Sequence, residues 1–178
     1  MYIYKYKTPS GFSDMLMSSD GVYLTGLWFC ASRDALKHKF DYEEKLLPVF
    51  DDTIRWLNIY FSGKIPDFVP KYRILNSTSF RDSVIEIMNK VPCGEVITYG
   101  DIASIVALKR GLSRMSSQAV GGAVGWNPIC IIIPCHRVVG SNGSLTGYGG
   151  GISNKIKLLA LEGHDMNDFI IPTRGTAL

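Results

Sequence analysis

A chain of 178 residues, 46% hydrophobic and 20% charged, is long enough for one domain or two small ones and has the composition of a globular protein with a sizeable core. No apolar run approaches membrane-spanning length, and the N-terminus Met1-Tyr2-Ile3-Tyr4-Lys5 lacks a signal-peptide layout, so a cytoplasmic protein with no membrane association is expected. The net charge of +3 is unevenly spread: positions 102–160 hold no Asp or Glu but include Lys109, Arg110, Arg114, Arg137, Lys155 and Lys157, while all 16 acids lie elsewhere. Such a one-signed stretch suits a polyanionic partner; the alternative is a chance gap in a mildly basic protein. Cys30, Cys93, Cys130 and Cys135 are scattered and form no disulfide framework, which fits a reducing compartment.

In chain order, the short apolar runs Tyr2-Ile3-Tyr4, Met15-Leu16-Met17, Val22-Tyr23-Leu24 and Leu27-Trp28-Phe29 are separated by turn residues and predict a small antiparallel sheet. Residues 51–61 place Ile54, Trp56, Leu57 and Phe61 at helical spacing, ended by Gly63 and Pro66; these aromatics read as core. Residues 63–72, with two prolines, read as a linker. Ser79-Phe80-Arg81-Asp82 reads as a capping box opening a helix with Phe80, Val84, Ile87, Met88 and Val91 on one face, closed by Pro92-Cys93-Gly94. Thr98-Tyr99-Gly100-Asp101 opens the next helix, which Lys109-Arg110-Gly111 ends, and Ser113 can cap a third helix running to about Trp126. Two helices across a glycine-containing turn form a helix-turn-helix pattern, a weak signal alone.

The third helix carries Ala119, Gly121, Gly122, Ala123 and Gly125, although an interior glycine costs about 1 kcal/mol relative to alanine. Small residues permit close approach of another surface, either a packed neighbour or a groove. Ile131-Ile132-Ile133 reads as a short buried strand that Pro134 ends or bends, and Cys135 and His136 follow it. A lone Cys-His pair reads equally as a structural thiol beside a hydrogen-bonded imidazole. Residues 140–151 are half glycine with one aromatic, Tyr148; residues 155–163 predict a closing helix with Glu162 near its end, and 164–178 a loosely patterned tail.

What lifts Cys135 and His136 above the structural reading is the wider pattern. GEVITYGDIA (94–103), AVGGAVGWNP (119–128), IIIPCHRVVG (131–140) and GYGGG followed by KLLALEG occur together and in order, and over residues 79–163 the chain resembles the O6-alkylguanine–DNA alkyltransferases, or methylated-DNA–protein-cysteine methyltransferases. The resemblance implies an α+β protein: a small supporting N-terminal domain (1–75) with an antiparallel sheet plus helix, and a winged helix-turn-helix C-terminal domain (76–178) carrying the active site. It implies stoichiometric, single-turnover transfer of an alkyl group from O6-alkylguanine in double-stranded DNA, and from O4-alkylthymine as a further candidate, to Cys135. It also implies a monomer without cofactor whose third helix enters the minor groove. Cys135, His136, Glu162 and Tyr99 are thereby assigned to catalysis, and Asn127, Val138, Tyr148, Gly149 and Lys155 to the substrate pocket. Ser116, Gln118, Ala119, Gly122 and Arg137 are assigned to DNA.

The chemistry agrees with the residue types. A thiol attacks as thiolate, and an imidazole held by a carboxylate can take its proton. If Cys135 and His136 are consecutive strand residues their side chains point to opposite faces, so a bridging water is expected between them. An alkylated guanine pairs poorly, which lowers the cost of extruding it. No second thiol is poised to reverse a thioether.

Three positions depart from the family pattern. Gln118 stands where relatives carry an arginine that fills the space of the flipped base, which predicts weaker DNA binding or flipping. Cys130 replaces a proline and Gly149 a serine of some relatives, which predicts a roomier pocket that accepts adducts larger than methyl. Cys30 and His38 are too few for the zinc site of some family members, so no metal is expected. A non-catalytic lesion-binding winged-helix protein and a cysteine hydrolase remain as alternatives; the first lacks the nucleophilic cysteine, and the second needs an oxyanion hole that nothing here positions.

Overall fold

Glycine and aspartate turns cut the N-terminal segment into three strands, β1 (Tyr2–Tyr6), β2 (Met15–Ser19) and β3 (Leu24–Phe29), paired antiparallel as β1 with β2 and β2 with β3. The computed structural model describes residues 1–30, 32 and 41–172. Its chain forms two compact units: Met1–Asn76 with Pro128–Ile132, and Ser77–Asn127 with Ile133–Leu178. Together the elements make a mixed α+β protein.

In the first unit, Val22-Tyr23 lies in a turn and only Leu24 joins β3. The Asp20 carboxylate accepts from the amides of Val22 (3.0 Å) and Tyr23 (2.8 Å), so neither is available to a ladder. The sheet is not purely antiparallel: β4 (Glu43–Glu44) adds parallel to β1, giving the order β3-β2-β1-β4. Two exposed glutamates on that strand suit an edge position, where charge discourages pairing with other chains. The other edge, β3, is buried along its whole length. The Leu24 amide donates to Lys71 O and Arg73 N donates to Leu24 O (both 2.9 Å), so the end of the expected linker pairs with this strand. Farther along β3, Leu27 N donates to Pro128 O and Cys130 N to Leu27 O, again at 2.9 Å. Residues 128–132, read with the C-terminal half, therefore join the N-terminal unit, a long-range pairing that local pattern could not reveal.

Helix α1 (Pro48–Phe61) begins before the expected Asp51 because Pro48 presets the first turn and Asp51 favours the helix N-terminus. It buries Phe50, Trp56, Leu57 and Tyr60, with Tyr4 stacked on Phe50 at 6.1 Å and Trp56 on Tyr60 at 5.4 Å, so these aromatics are core as read. On β3 a side chain at Gly26 would run into the Trp28 indole two residues on, which is itself buried. Gly26→Ala is expected to destabilise the protein by about 1–3 kcal/mol through displacement of that ring. A denaturation midpoint equal to that of the parent would refute this packing argument.

The second unit is built around α2 (Ser79–Met88), α3 (Tyr99–Lys109) and α4 (Ser117–Gly125), which bury Val84, Met88, Ile102, Val106, Val120 and Val124. The cap of α2 is Thr78, whose hydroxyl accepts from Arg81 N, and not Ser79. Helix α2 ends at Met88, before the Pro92-Cys93-Gly94 turn. The capping box of Thr98 and Asp101 forms as expected on α3. Ser116, and not Ser113, caps α4 by accepting from Ala119 N. Strand β5 (Ile97–Thr98) pairs parallel with β6 (Val138–Val139), and α5 (Ile152–Leu161) begins three residues before Lys155. The expected loose tail is anchored as far as Ile170. Met166 and Phe169 pack against Val139, Leu145 and Leu159, and Leu145 N donates to Ile170 O at 2.9 Å. Residues 173–178 lie outside the described residues.

Candidate active site

The isoleucine run does not form the expected strand. Ile131 adopts φ 70°, closed by Ile132 N donating to Cys130 O at 2.9 Å, and Pro134 (φ −81°, ψ 61°) makes an inverse γ-turn in which Cys135 N donates to Ile133 O at 2.8 Å. After these two bends Cys135–Arg137 forms a single 3-10 turn. Successive side chains there lie about a third of a turn apart instead of on opposite faces, so the argument from strand alternation does not apply.

Asn127, just past the end of α4, reaches into this turn. Its buried amide nitrogen donates to Ile133 O at 2.8 Å and to Cys135 Sγ at 3.0 Å. The Cys135 thiol is 5% exposed and His136 is fully buried. His136 Nε2 lies 2.8 Å from Glu162 Oε1 at the C-terminal cap of α5. Burial pushes the Glu162 carboxyl up, but hydrogen bonds from His136 and Arg137 outweigh it and hold the group well below the ordinary carboxylate range. An ionised carboxylate only accepts, so Nε2 carries the hydrogen and Nδ1 keeps the lone pair. Burial depresses the basicity of His136, with the Glu162 carboxylate opposing it.

Arg137, expected at the DNA surface, is directed elsewhere. Its Nε and one terminal nitrogen donate to the two oxygens of Glu162, each at 2.9 Å, and the other terminal nitrogen donates to Val91 O at 2.7 Å. Only 12% of that side chain is exposed. Lys155 is also fully buried: Nζ donates to Val138 O at 2.6 Å and lies 3.5 Å from Thr146 O, and burial brings its pKa down to about 8. Lys109 pairs with Glu86 at 3.0 Å. The acid-free stretch is therefore not a single basic surface; half of its cations are committed to internal partners or an ion pair.

Tyr99, the first residue of α3, donates its hydroxyl to Thr146 O at 3.1 Å, and burial, aided by the charge of Cys135, pushes its pKa up to about 12. It lines a cavity of about 540 Å³ together with Thr98, Gln118, Gly121, Ser141 and Thr146. Tyr148 is buried, its ring 5.9 Å from Lys155 Nζ, and Gly149 is half-buried. The carbonyl of Val138, a residue assigned to the substrate pocket, accepts from Lys155. Ser116, Gln118, Ala119 and Gly122 are exposed on α4, and a side chain at Gly122 would meet nothing within 4 Å, so packing against a neighbouring helix does not explain that glycine. Cys130, invoked for a roomier pocket, belongs to the segment hydrogen-bonded to Leu27 in the first unit.

Folding thus puts Asn127 on the Cys135 sulfur and Glu162 on His136, gives Lys155 and Tyr99 a common acceptor in Thr146 O, and sets Tyr99 and Gln118 on one cavity. The role of Arg137 was missed, and no spacing signal could have found it, because its partners come from α5 and the turn after α2. Thr146 was missed because its carbonyl, not its side chain, makes the contact. Among the described residues no group of three or more His, Cys, Asp or Glu comes together as a metal site; His38 lies outside them.

A buried thiol beside an imidazole whose far nitrogen is held by a carboxylate is the arrangement of a protein that uses cysteine as a nucleophile. The chain matches the family described as the 6-O-methylguanine DNA methyltransferase DNA-binding domain over residues 79–164. A methylated-DNA–protein-cysteine methyltransferase of Methanosarcina mazei is 38% identical over 93% of this chain and 99% of its own length. One from Haemophilus influenzae is 35% identical over 91% of this chain and 86% of its own. The crystal structure of Mycobacterium tuberculosis OGT in complex with DNA, 32% identical, superposes with a TM-score of 0.77 over 91% of this chain and 92% of that one. The chain belongs to the methylated-DNA–protein-cysteine methyltransferase family.

Proposed function

We propose that this protein repairs alkylated DNA by direct reversal, moving the alkyl group from the damaged base onto its own Cys135. Family membership supplies the reaction, methyl transfer from DNA to a protein cysteine. The observation that supports Cys135 as the acceptor is its thiol, held by Asn127 beside the His136–Glu162 pair. The thiol gives its proton, through a water, to His136 Nδ1, and the thiolate attacks the alkyl carbon. The carbon–sulfur bond forms as the carbon–oxygen bond breaks, and its electron pair stays with the purine. The base takes up one proton in place of the alkyl group, with the Tyr99 hydroxyl hydrogen-bonding the departing guanine, and His136 releases the thiol's proton to solvent, so no proton is gained or lost overall.

The substrate in this reading is O6-alkylguanine in duplex DNA, with O4-alkylthymine as a second lesion. The exposed face of α4 enters the minor groove, α3 and α4 act as a helix-turn-helix with residues 140–151 as its wing, and the damaged base turns out into the cavity at Tyr99. The N-terminal unit has a supporting role, and the protein acts as a cytoplasmic monomer. Among the described residues no helix is long and apolar enough to cross a membrane.

Incubation of the purified chain with excess oligonucleotide containing O6-methylguanine is expected to raise the intact-protein mass by one methyl group, mapped to Cys135, and then to stop. Continued turnover, or no methyl at all, would defeat the proposal. Gln118→Arg is expected to strengthen duplex binding several-fold and to steepen its salt dependence by about one phosphate contact. Binding curves at two salt concentrations that coincide with those of the parent would show that position 118 does not set DNA affinity.

A further inference from the structure

Arg137 has been drawn into the interior by two partners, and the way it shares Glu162 bears on the proton relay. Glu162 Oε1 faces two groups at once, His136 Nε2 at 2.8 Å and an Arg137 terminal nitrogen at 2.9 Å, while Oε2 accepts from Arg137 Nε at 2.9 Å. The carboxylate is 1% exposed, so little water competes for it. The guanidinium is itself fixed by Val91 O at 2.7 Å, beyond the end of α2. A bidentate fork of this kind holds a carboxylate in one orientation.

We propose that Arg137 is a positioning residue for the relay: by donating to both oxygens of Glu162, it aims the carboxylate at His136 without letting it draw a proton onto the imidazole before the thiol supplies one. The inference rests on the alkyl-transfer reading and deepens it. A buried imidazole facing an unshared carboxylate would be a stronger base, would fill with a solvent proton near neutral pH, and could no longer accept from Cys135. The charges that face His136 are Glu162 at the cap of α5, Lys155 on α5 and Arg137 on its own turn; the two cations and burial oppose protonation, and only Glu162 favours it. Cys93, in the turn after α2, faces the same ion pair and has its thiol pushed up by burial and by Glu162, so it adds no negative charge near neutral pH.

The test is an NMR titration of His136 in the intact protein, with the single-turnover transfer rate followed over the same pH range, for the parent, Arg137→Gln and Arg137→Lys. In the parent, His136 is expected to stay neutral at pH 7. In Arg137→Gln its midpoint is expected to rise by roughly one pH unit or more, carrying the acid limb of the transfer rate with it. Arg137→Lys, which restores the charge but not the fork, is expected to recover most of the midpoint and only part of the rate. Affinity for undamaged duplex should stay within about two-fold in both variants, as an internal guanidinium contributes no phosphate contact. An imidazolium in the parent at pH 7 overturns the proposal even if the variants do not fold. So does a uniform rate loss without a midpoint shift, or a loss of duplex affinity with unchanged chemistry. A parent that transfers no alkyl group defeats the functional reading, whereas the His136 midpoints still decide the role of Arg137.

Discussion

Cys135→Ser is expected to abolish alkyl transfer while leaving the fold and the affinity for lesion-bearing duplex nearly unchanged. A hydroxyl is far less acidic than a thiol, so an imidazole cannot keep a useful fraction of it ionised, and an alkoxide is needed to attack a saturated carbon. The loss should exceed about a thousand-fold, beyond what general-base assistance alone can restore. Stability should change little, since Asn127, which donates to Sγ at 3.0 Å, can donate to a serine oxygen in the same place. The remaining thiols offer no substitute. Cys130 is buried, and Cys93 and Cys30 both have their thiols pushed up by burial, away from the reactive thiolate. Intact-mass and peptide measurements on the variant after incubation with methylated oligonucleotide should find no methyl on any residue. A methyl on another cysteine would move the acceptor away from Cys135.

Glu162→Gln is expected to damage both rate and stability. In the parent, the carboxylate balances a guanidinium of which only 12% is exposed and orients an imidazole that is fully buried. A neutral amide leaves that guanidinium without its counter-charge, and breaking one side of a buried ion pair costs about 3–5 kcal/mol. It also removes the acceptor that selects the Nε2–H tautomer, so transfer should slow by roughly a hundred- to ten-thousand-fold. The pH dependence has a definite sign. The folded Glu162 carboxyl is held below its ordinary value of 4.5, so its stabilisation is complete above that pH and is lost as pH falls through the folded value. Buried His136, depressed below 6.5, penalises folding in the same acid direction. The Glu162 share of the gap between parent and variant should therefore be complete near neutral pH, begin to narrow below about pH 4.5 and close only at the folded value, since the His136 penalty acts on both proteins. Denaturant unfolding at pH 7 and at pH 4 checks this; a gap that does not change with pH would mean that Glu162 contributes by shape alone.

Much of the fold was legible wherever a local rule dominates. Thr98 and Asp101 announced the start of α3 because a capping box is completed within a few residues. Trp56 and Leu57 announced a helix face because the period of a helix is short. Local rules failed where a side chain or a distant strand took over a backbone group. Asp20 consumed the amides that Val22 and Tyr23 needed for a strand, and Leu27 drew residues 128–132 into the N-terminal unit. The run Ile131-Ile132-Ile133 has the composition of a strand, yet the turns at Ile131 and Pro134 prevent one.

For the site, the order of residues along the chain was enough to name the family and to single out Cys135 and His136 as candidates, since a thiol next to a histidine within several matched blocks is a statement about residue types and spacing. Which groups touch is a different kind of fact. That Asn127 holds the sulfur, that Glu162 is shared by His136 and Arg137, and that the Lys155 ammonium donates to Val138 O all depend on elements distant in sequence meeting in a water-poor interior. Burial and the direction of a charged side chain are set by packing, and packing is not a property of any short stretch of chain.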